Sequence, residues 1–383
     1  MQKRSCINLT KQEYRKAIDD VIYLCGCAVN GVLPEKKRTD EMNLEQLFKA
    51  SQNHTLSAIA AYALGFAGIK DHAFEQAKAK AIRKEAVMEI DKEQLFQQME
   101  EKGIWYMPLK GTVIKGLYPA VGMRQMADFD ILFDKNYQTE VRDIMTGLGF
   151  SCEHFGKGSH DVYFKKPVSN FEMHTELFGE VHKGELFRYY RNINDRLVKD
   201  PENGYGYHLS ANDFYIYIMA HEYKHFSNGG TGIRSLLDTY VIWQKLGKEL
   251  DAAYIKAECT KLGISEFEQK NKQLSLHLFG DEALTDDDRE MLEYIIFSGT
   301  YGTVQNSIEN SVKKYGGGKK GKRNYILKNL FLPMREIKAY YPFFYRHKIL
   351  LPGLFFYRIG KAVTVKRKQT FSKLKQLRKL RNK

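Results

Sequence analysis

Apolar positions recur at helical spacing from residue 8 to about residue 100, and then the period changes. Asn8-Leu9-Thr10 opens a first helix. Leu44 to Phe66 carries an apolar helical face with the alanine-rich run Ala58-Ile59-Ala60-Ala61-Tyr62-Ala63-Leu64, and residues 76 to 102 form a charged helix ended by Gly103. Ile104-Trp105-Tyr106-Met107-Pro108-Leu109 is short, apolar and aromatic, which predicts a strand. Lys110-Gly111-Thr112 is a turn, Val113 to Leu117 a short helix, Pro119 to Met126 a loop, and Asp128 to Phe133 a second strand. A helix over Asn136 to Leu148, closed by Gly149, is followed by strand-like runs over Ser151 to Phe155, Asp161 to Phe164 and Phe171 to Leu177.

Helical spacing returns after about residue 205. A helix capped by Ser210 or Asn212 runs through His225, and Ile233 to Lys245, Leu250 to Leu262 and Ser265 to Phe279 follow. Gly316 to Arg323 reads as a flexible basic linker. Tyr340 to Val365 is aromatic and apolar with interspersed cations, ahead of a basic helix. The pattern predicts an α+β protein with a small mixed sheet, flanked by N- and C-terminal helical regions. Its expected parts are an N-terminal helical region (1–102), an α+β core (103–204), a C-terminal helical domain (205–312) and a basic aromatic tail (313–383). No internal repeat is visible.

Composition adds a compartment and an asymmetry. Hydrophobic residues make up 43% of 383, enough for a sizeable core, and no apolar run is long enough for a transmembrane helix. The N-terminus lacks the apolar stretch of a signal peptide. Cys6, Cys25, Cys27, Cys152 and Cys259 are irregularly spaced and read as reduced thiols, so the expected location is cytoplasmic. From Ser311 onward there are 22 Lys and Arg against one acid, Glu336, whereas the remainder holds 38 against 45. Such a tail favours anionic partners: phosphates, nucleic acid or an acidic membrane surface, the last making the protein membrane-peripheral. Burial of the aromatics of Tyr340 to Phe356 against the helical domain is the favoured expectation, leaving Lys366 to Lys383 solvated.

Asp128 and Asp130 interrupt the apolar second strand. On a strand their side chains share one face, while Phe129 and Ile131 point the other way into a core. Paired carboxylates on an apolar element are costly without a counter-ion, and a divalent metal is one way to offset that cost. Upstream, Gly111 allows close backbone approach to a phosphate, Thr112 caps the helix and offers a hydroxyl, and Lys110 adds positive charge. Arg124 is placed to pair with phosphate or with the acids. Downstream, Glu172, His174 and Glu176 alternate along a third strand, and Glu172 is the candidate third metal ligand or proton-accepting base. This set points to Mg²⁺- or Mn²⁺-dependent nucleotidyl transfer from an NTP, ATP among them. In that chemistry two cations roughly 3.5–4 Å apart stabilise the attacking and leaving oxygens.

The run Leu109-Lys110-Gly111, then Arg124, then Asp128-Phe129-Asp130-Ile131-Leu132 resembles the bacterial uncharacterised nucleotidyltransferase family of the DNA polymerase β-like superfamily. Phe171-Glu172-Met173-His174 looks like its acid-x-His strand. His221 and His225 followed by Gly232-Ile233-Arg234-Ser235-Leu236-Leu237-Asp238, and the Tyr341-Pro342 to Leu351-Pro352 region, extend the likeness over about residues 40 to 360. The resemblance implies a polymerase-β-like core, Asp128, Asp130 and Glu172 as metal and catalytic residues, and Lys110, Gly111, Thr112 and Arg124 as nucleotide-binding residues. Thr112 stands where the superfamily usually has Gly or Ser, and the gap from Gly111 to Asp128 is longer than usual. The acceptor (small molecule, glycan or protein) and the oligomeric state stay open.

Three rivals remain. A module of the same fold could bind a nucleotide without catalysis. Asp-x-Asp also serves glycosyltransferases, which lack the preceding glycine turn. His221-Glu222-Tyr223-Lys224-His225 fits the H-E-x-x-H zinc-peptidase pattern, but Lys224 intrudes and only Asp238 offers itself as a third ligand. A bland reading packs one of those histidines between helices. An intermediate one has His221, His225, Arg234 and Asp238 lining the acceptor pocket. His54 reads as structural.

Overall fold

Thr10 and Glu13 cap each other's backbone at the start of α1 (Lys11–Asn30), as the Asn8-Leu9-Thr10 signal anticipates. The computed structural model describes residues 9–364 apart from 157, 180–183, 281 and 301, and beyond them residues 367, 370, 371, 373, 376 and 377. Cys6 and most of Lys366 to Lys383 therefore lie outside the described residues. The N-terminal region continues with α2 (Lys36–Asp40), α3 (Leu44–Asn53), α4 (Ser57–Phe66) and α5 (His72–Glu101). The helical spacing over Leu44 to Phe66 is divided between α3 and α4 at Thr55, whose φ is +55°. His54 beside it is fully buried, its Nδ1 accepting from the Ile233 N–H at 3.2 Å and its Nε2 3.2 Å from the Tyr14 hydroxyl. Burial pushes this imidazole down to about 4, so it is a neutral structural tie, as anticipated.

The sheet follows: β1 (Tyr106–Leu109), α6 (Gly111–Ile114), β2 (Phe129–Phe133), α7 (Gln138–Gly147), β3 (Ser151–His154), β4 (His160–Lys165) and β5 (Ser169–His174). Strand order is β1-β2-β5-β4-β3, with β2 and β5 parallel and the other neighbours antiparallel. It is the expected small mixed sheet. Phe129, Ile131, Phe133, Phe171 and Met173 pack into one core with Met88, Leu95 and Met99 of α5 and Val141 and Met145 of α7. That apolar clustering fixes the register, because a slip of one residue would turn the carboxylates into it. β5 ends at His174, so Glu176 lies beyond the ladder that Glu172 and His174 share.

A short α8 (Glu185–Tyr190) and a two-stranded ribbon, β6 (Leu197–Lys199) with β7 (Tyr207–Leu209), lead to the second helical region. It comprises α9 (Ala211–Asn228), α10 (Ile233–Leu246), α11 (Ala252–Lys261), α12 (Ser265–Phe279), α13 (Asp286–Ser298) and α14 (Val304–Lys314). The two helical regions share one hydrophobic core: Ile18, Val21 and Leu24 of α1 cluster with Leu237 and Val241 of α10 and Leu274 of α12. Met107, Leu109 and Leu132 join it from the sheet face opposite Phe129 and Ile131. The carboxylate-bearing face therefore looks into the junction of sheet and helices.

The tail corrects two expectations. Gly316 to Arg323 is not a flexible linker: α15 (Gly318–Leu330) begins within it and lies against α14. Gly321 is there for packing, since a Cβ at this position would overlap the Val312 carbonyl. α16 (Met334–Tyr340), α17 (Pro342–Arg346) and α18 (Leu351–Val363) follow, and α18 is tied to α15 by Arg358 donating to the carbonyls of Leu330 and Asn329. None of the seven aromatics expected to be buried is fully so: Tyr340, Phe343 and Phe356 are 59%, 58% and 72% exposed, and Tyr341, Phe344, Tyr345 and Phe355 are half-buried. The reason is geometric. α16 and α18 each have a single described side chain that is fully inward, Ile337 and Leu354, and the other rings are covered only in part, as where Phe355 stacks on Phe331.

Candidate active site

Asp130 sits opposite Leu109 of β1 on one side and Glu172 of β5 on the other. Because β2 and β5 are parallel and in register, the carboxylates of Asp130 and Glu172 leave the sheet on the same face. His174 stands two residues along β5, and His160 is its partner on β4. Asp128 lies just before β2, one residue outside the strand predicted to contain it.

Three cationic or imidazole groups converge on the acids. The Lys110 ammonium donates to Asp130 Oδ1 at 2.6 Å, and His174 Nε2 meets the same oxygen at 2.8 Å. Glu172 Oε2 is 3.6 Å from His174 Nε2 and 3.7 Å from His160 Nε2. Lys110 reaches this position from a backbone with φ +47°, a left-handed conformation costly for a side chain with a Cβ. The turn holds that strain because both its ends are fixed. β1 lies before it, and after it the Thr112 Oγ1 accepts from the Asp130 N–H at 3.0 Å.

Electrostatics separates the acids. Burial alone would raise Asp130, but Lys110 and His174 hold it well below the usual carboxylate range. Glu172 is lowered by its contact with His174, against burial. Asp128 goes the other way: burial, then the charges of Asp130 and Glu172, push it up to about 6. Burial would lower Lys110, but Asp130, Tyr217 and Glu172 keep it above its ordinary value, so it is an ammonium.

Helix α9 forms the opposite wall. Tyr217, His221 and Lys224 lie at helical spacing, and each feels the charges of Lys110 and Asp130. The Tyr217 hydroxyl is buried with no hydrogen-bond partner, as is His174 Nδ1. His221 Nε2 lies 3.2 Å from His225 Nε2. Burial, then the Lys110 charge, lowers His221 far below its usual value, and burial, then His221, lowers His225 to about 4. Both are neutral at physiological pH.

Arg124 is held by an acid of the second helical region. Its Nε and Nη2 donate to the two oxygens of Asp238, each at 2.8 Å, in a buried pair that the Tyr118 hydroxyl joins at 2.7 Å. The guanidinium thus locks the loop before Asp128 onto α10, and Asp238 is spent on it. Gly111 is explained by the same side chain, because a Cβ there would overlap the Arg124 guanidinium. Since Asp238 pins that guanidinium, Gly111→Ala is expected to destabilise the chain by roughly 1–3 kcal/mol in urea denaturation.

The zinc-peptidase reading falls on geometry. Glu222 accepts from the Thr231 hydroxyl at 3.0 Å instead of supporting the histidine pair. Among the described residues, the group of three side chains close enough to hold a metal is His160, Glu172 and His174, whose ligand atoms lie within 4.8 Å of one another. His221 and His225 are not part of it. His160 is the residue the sequence did not single out, since only the β4–β5 register reveals that it faces Glu172.

These residues all lie within the match to a family described as "Uncharacterised nucleotidyltransferase", whose model covers residues 40–280. The chain belongs to that family. The match takes in the sheet, α9 and α10 and ends before the aromatic tail. No curated protein and no solved structure matches the chain.

Proposed function

We propose that the protein transfers a nucleoside monophosphate from an NTP to an acceptor hydroxyl or phosphate, with a divalent cation held by Asp128, Asp130 and Glu172. The observation that carries this reading is the in-register pair Asp130–Glu172, with Asp128 one residue before the same strand. Lone carboxylates at such depth are costly, and Lys110 offsets only part of their charge. Glu172 also belongs to the group of side chains whose ligand atoms lie close enough to hold an ion, with His160 and His174, and Asp130 Oδ1 is 2.8 Å from His174 Nε2. A cation bound there would supply charge neutralisation to the phosphate oxygens.

The chain's own groups have separable tasks in this reading. Lys110 keeps Asp130 ionised and aimed across the cleft. The Gly111-Thr112 turn sets the backbone on which the triphosphate would rest. Neutral His221 and the unpartnered hydroxyl of Tyr217, on the facing helix, line the space that an acceptor would enter. The test is NTP binding and pyrophosphate release, with and without metal. Release that survives Asp128→Ala combined with Asp130→Ala overturns the reading. Tight NTP binding without release would instead mark a non-catalytic binding module.

The imidazoles also bear on the choice of metal. Nitrogen ligands favour Mn²⁺ or a later divalent ion over Mg²⁺, which prefers oxygen alone. Calorimetry is expected to show Mn²⁺ bound about tenfold or more tightly than Mg²⁺, with His160→Ala narrowing that ratio.

A further inference from the structure

We propose that α17, α18 and the turn between them form a membrane-docking element that inserts apolar side chains into an anionic bilayer surface. The element is unlike the rest of the surface. Ile349 is 93% exposed and Phe356 is 72% exposed; Leu350, Tyr357, Ile359 and Val363 are also open. On α18, Phe356, Ile359 and Val363 lie at positions i, i+3 and i+7, one outward stripe, while Leu354 faces in. α17 joins this surface through Phe344, its ring 5.9 Å from that of Tyr357, and exposes Phe343 beside it. A contiguous apolar surface of this kind marks an interaction site.

Charge selects the partner. Residues 311 to 383 hold 22 Lys and Arg and the single acid Glu336, so the surface complements an acidic one. Membrane and nucleic acid both offer negative charge, but they differ in what they do with aliphatic side chains. Aromatic rings can stack on bases. Exposed Ile349, Leu350, Ile359 and Val363 gain nothing from a phosphate backbone but gain hydrophobic free energy in a hydrocarbon layer. The element lies on the membrane and does not cross it. At 13 residues α18 is about 20 Å long, short of the ~30 Å hydrocarbon core, and among the described residues no helix is long and apolar enough to span one. The inference stands on the tail alone and does not depend on the transferase reading.

The experiment is co-sedimentation of the full chain with vesicles of phosphatidylcholine alone and of phosphatidylcholine mixed with phosphatidylglycerol. Binding to the mixed vesicles, weakened by salt and weak on the neutral ones, is expected. Ile349→Glu combined with Phe356→Glu should lower the partition on the order of a hundredfold. Both side chains are solvent-exposed, so the fold is expected to persist, which circular dichroism checks. Phe356→Trp should show a blue-shifted emission difference on vesicle addition. No vesicle binding overturns the proposal, as does unchanged binding of the double variant, which would mean a purely electrostatic contact. Binding of RNA or DNA oligonucleotides with none to the vesicles overturns it in favour of nucleic acid.

Discussion

Asp130→Asn is expected to abolish nucleotidyl transfer and to destabilise the fold, and the two effects can be pulled apart. Losing a metal-binding carboxylate removes several kcal/mol of charge stabilisation, about 10³-fold or more in kcat. The same change strands the Lys110 ammonium, whose Nζ is 2.6 Å from Asp130 Oδ1 and whose side chain is 16% exposed. Leaving one member of a buried pair uncompensated costs about 3 kcal/mol here, the low end of the usual range because Glu172 still faces the ammonium. Lys110→Met on top of Asp130→Asn should restore most of that stability, since a neutral pair carries no unpaid charge. It should restore no activity. Urea denaturation and pyrophosphate release on the two single variants and the double variant complete the cycle. If the double variant regains activity, Asp130 matters only as the anchor of Lys110, and the proposed metal role fails.

That coupling shows where the sequence was informative. The alternation of Phe129, Asp130 and Ile131 placed the acid on one face and the apolar neighbours in a core, and the structure has both. Helix bounds over Ser265 to Phe279 came directly from apolar spacing. What was hidden depends on contacts between distant segments. His160 faces Glu172 only through the β4–β5 ladder, and no local pattern announces that register. Arg124 was expected to pair with phosphate or with Asp128 and Asp130, and its partner Asp238, 114 residues away on a helix of the other region, was not legible from local spacing. The glycines of Gly316 to Arg323 looked like flexibility, yet Gly321 is demanded by the approach of α14. His221-Glu222-Tyr223-Lys224-His225 carried the right spacing for zinc and the wrong surroundings, with Glu222 turned to Thr231. Local spacing gives the face a residue occupies. It does not give the residue that will meet it there.

Metal affinity is expected to rise with pH through an inflexion near 6, and Asp128 is the reason. Its carboxyl is pushed from 3.8 up to about 6 by burial and by the charges of Asp130 and Glu172. Between those values the folded chain holds a proton that the unfolded chain has released. Asp128 therefore favours the folded state below about 3.8, and that contribution is lost as pH rises through about 6. At neutral pH the bare site is destabilised, on the order of 2 kcal/mol after allowing for the solvent that reaches this residue. A divalent cation answers this cost, because it favours the ionised form and must displace the proton to bind. Below the inflexion, apparent affinity should fall about tenfold per pH unit, while Asp130 and Glu172, both held below the usual range, stay ionised. Mn²⁺ binding followed by electron paramagnetic resonance across this range provides the curve. Mn²⁺ should also raise the melting temperature more at about pH 7 than at about pH 5. Asp128→Asn is expected to flatten the profile and weaken binding on its alkaline side. An inflexion that survives Asp128→Asn would remove Asp128 from the metal site.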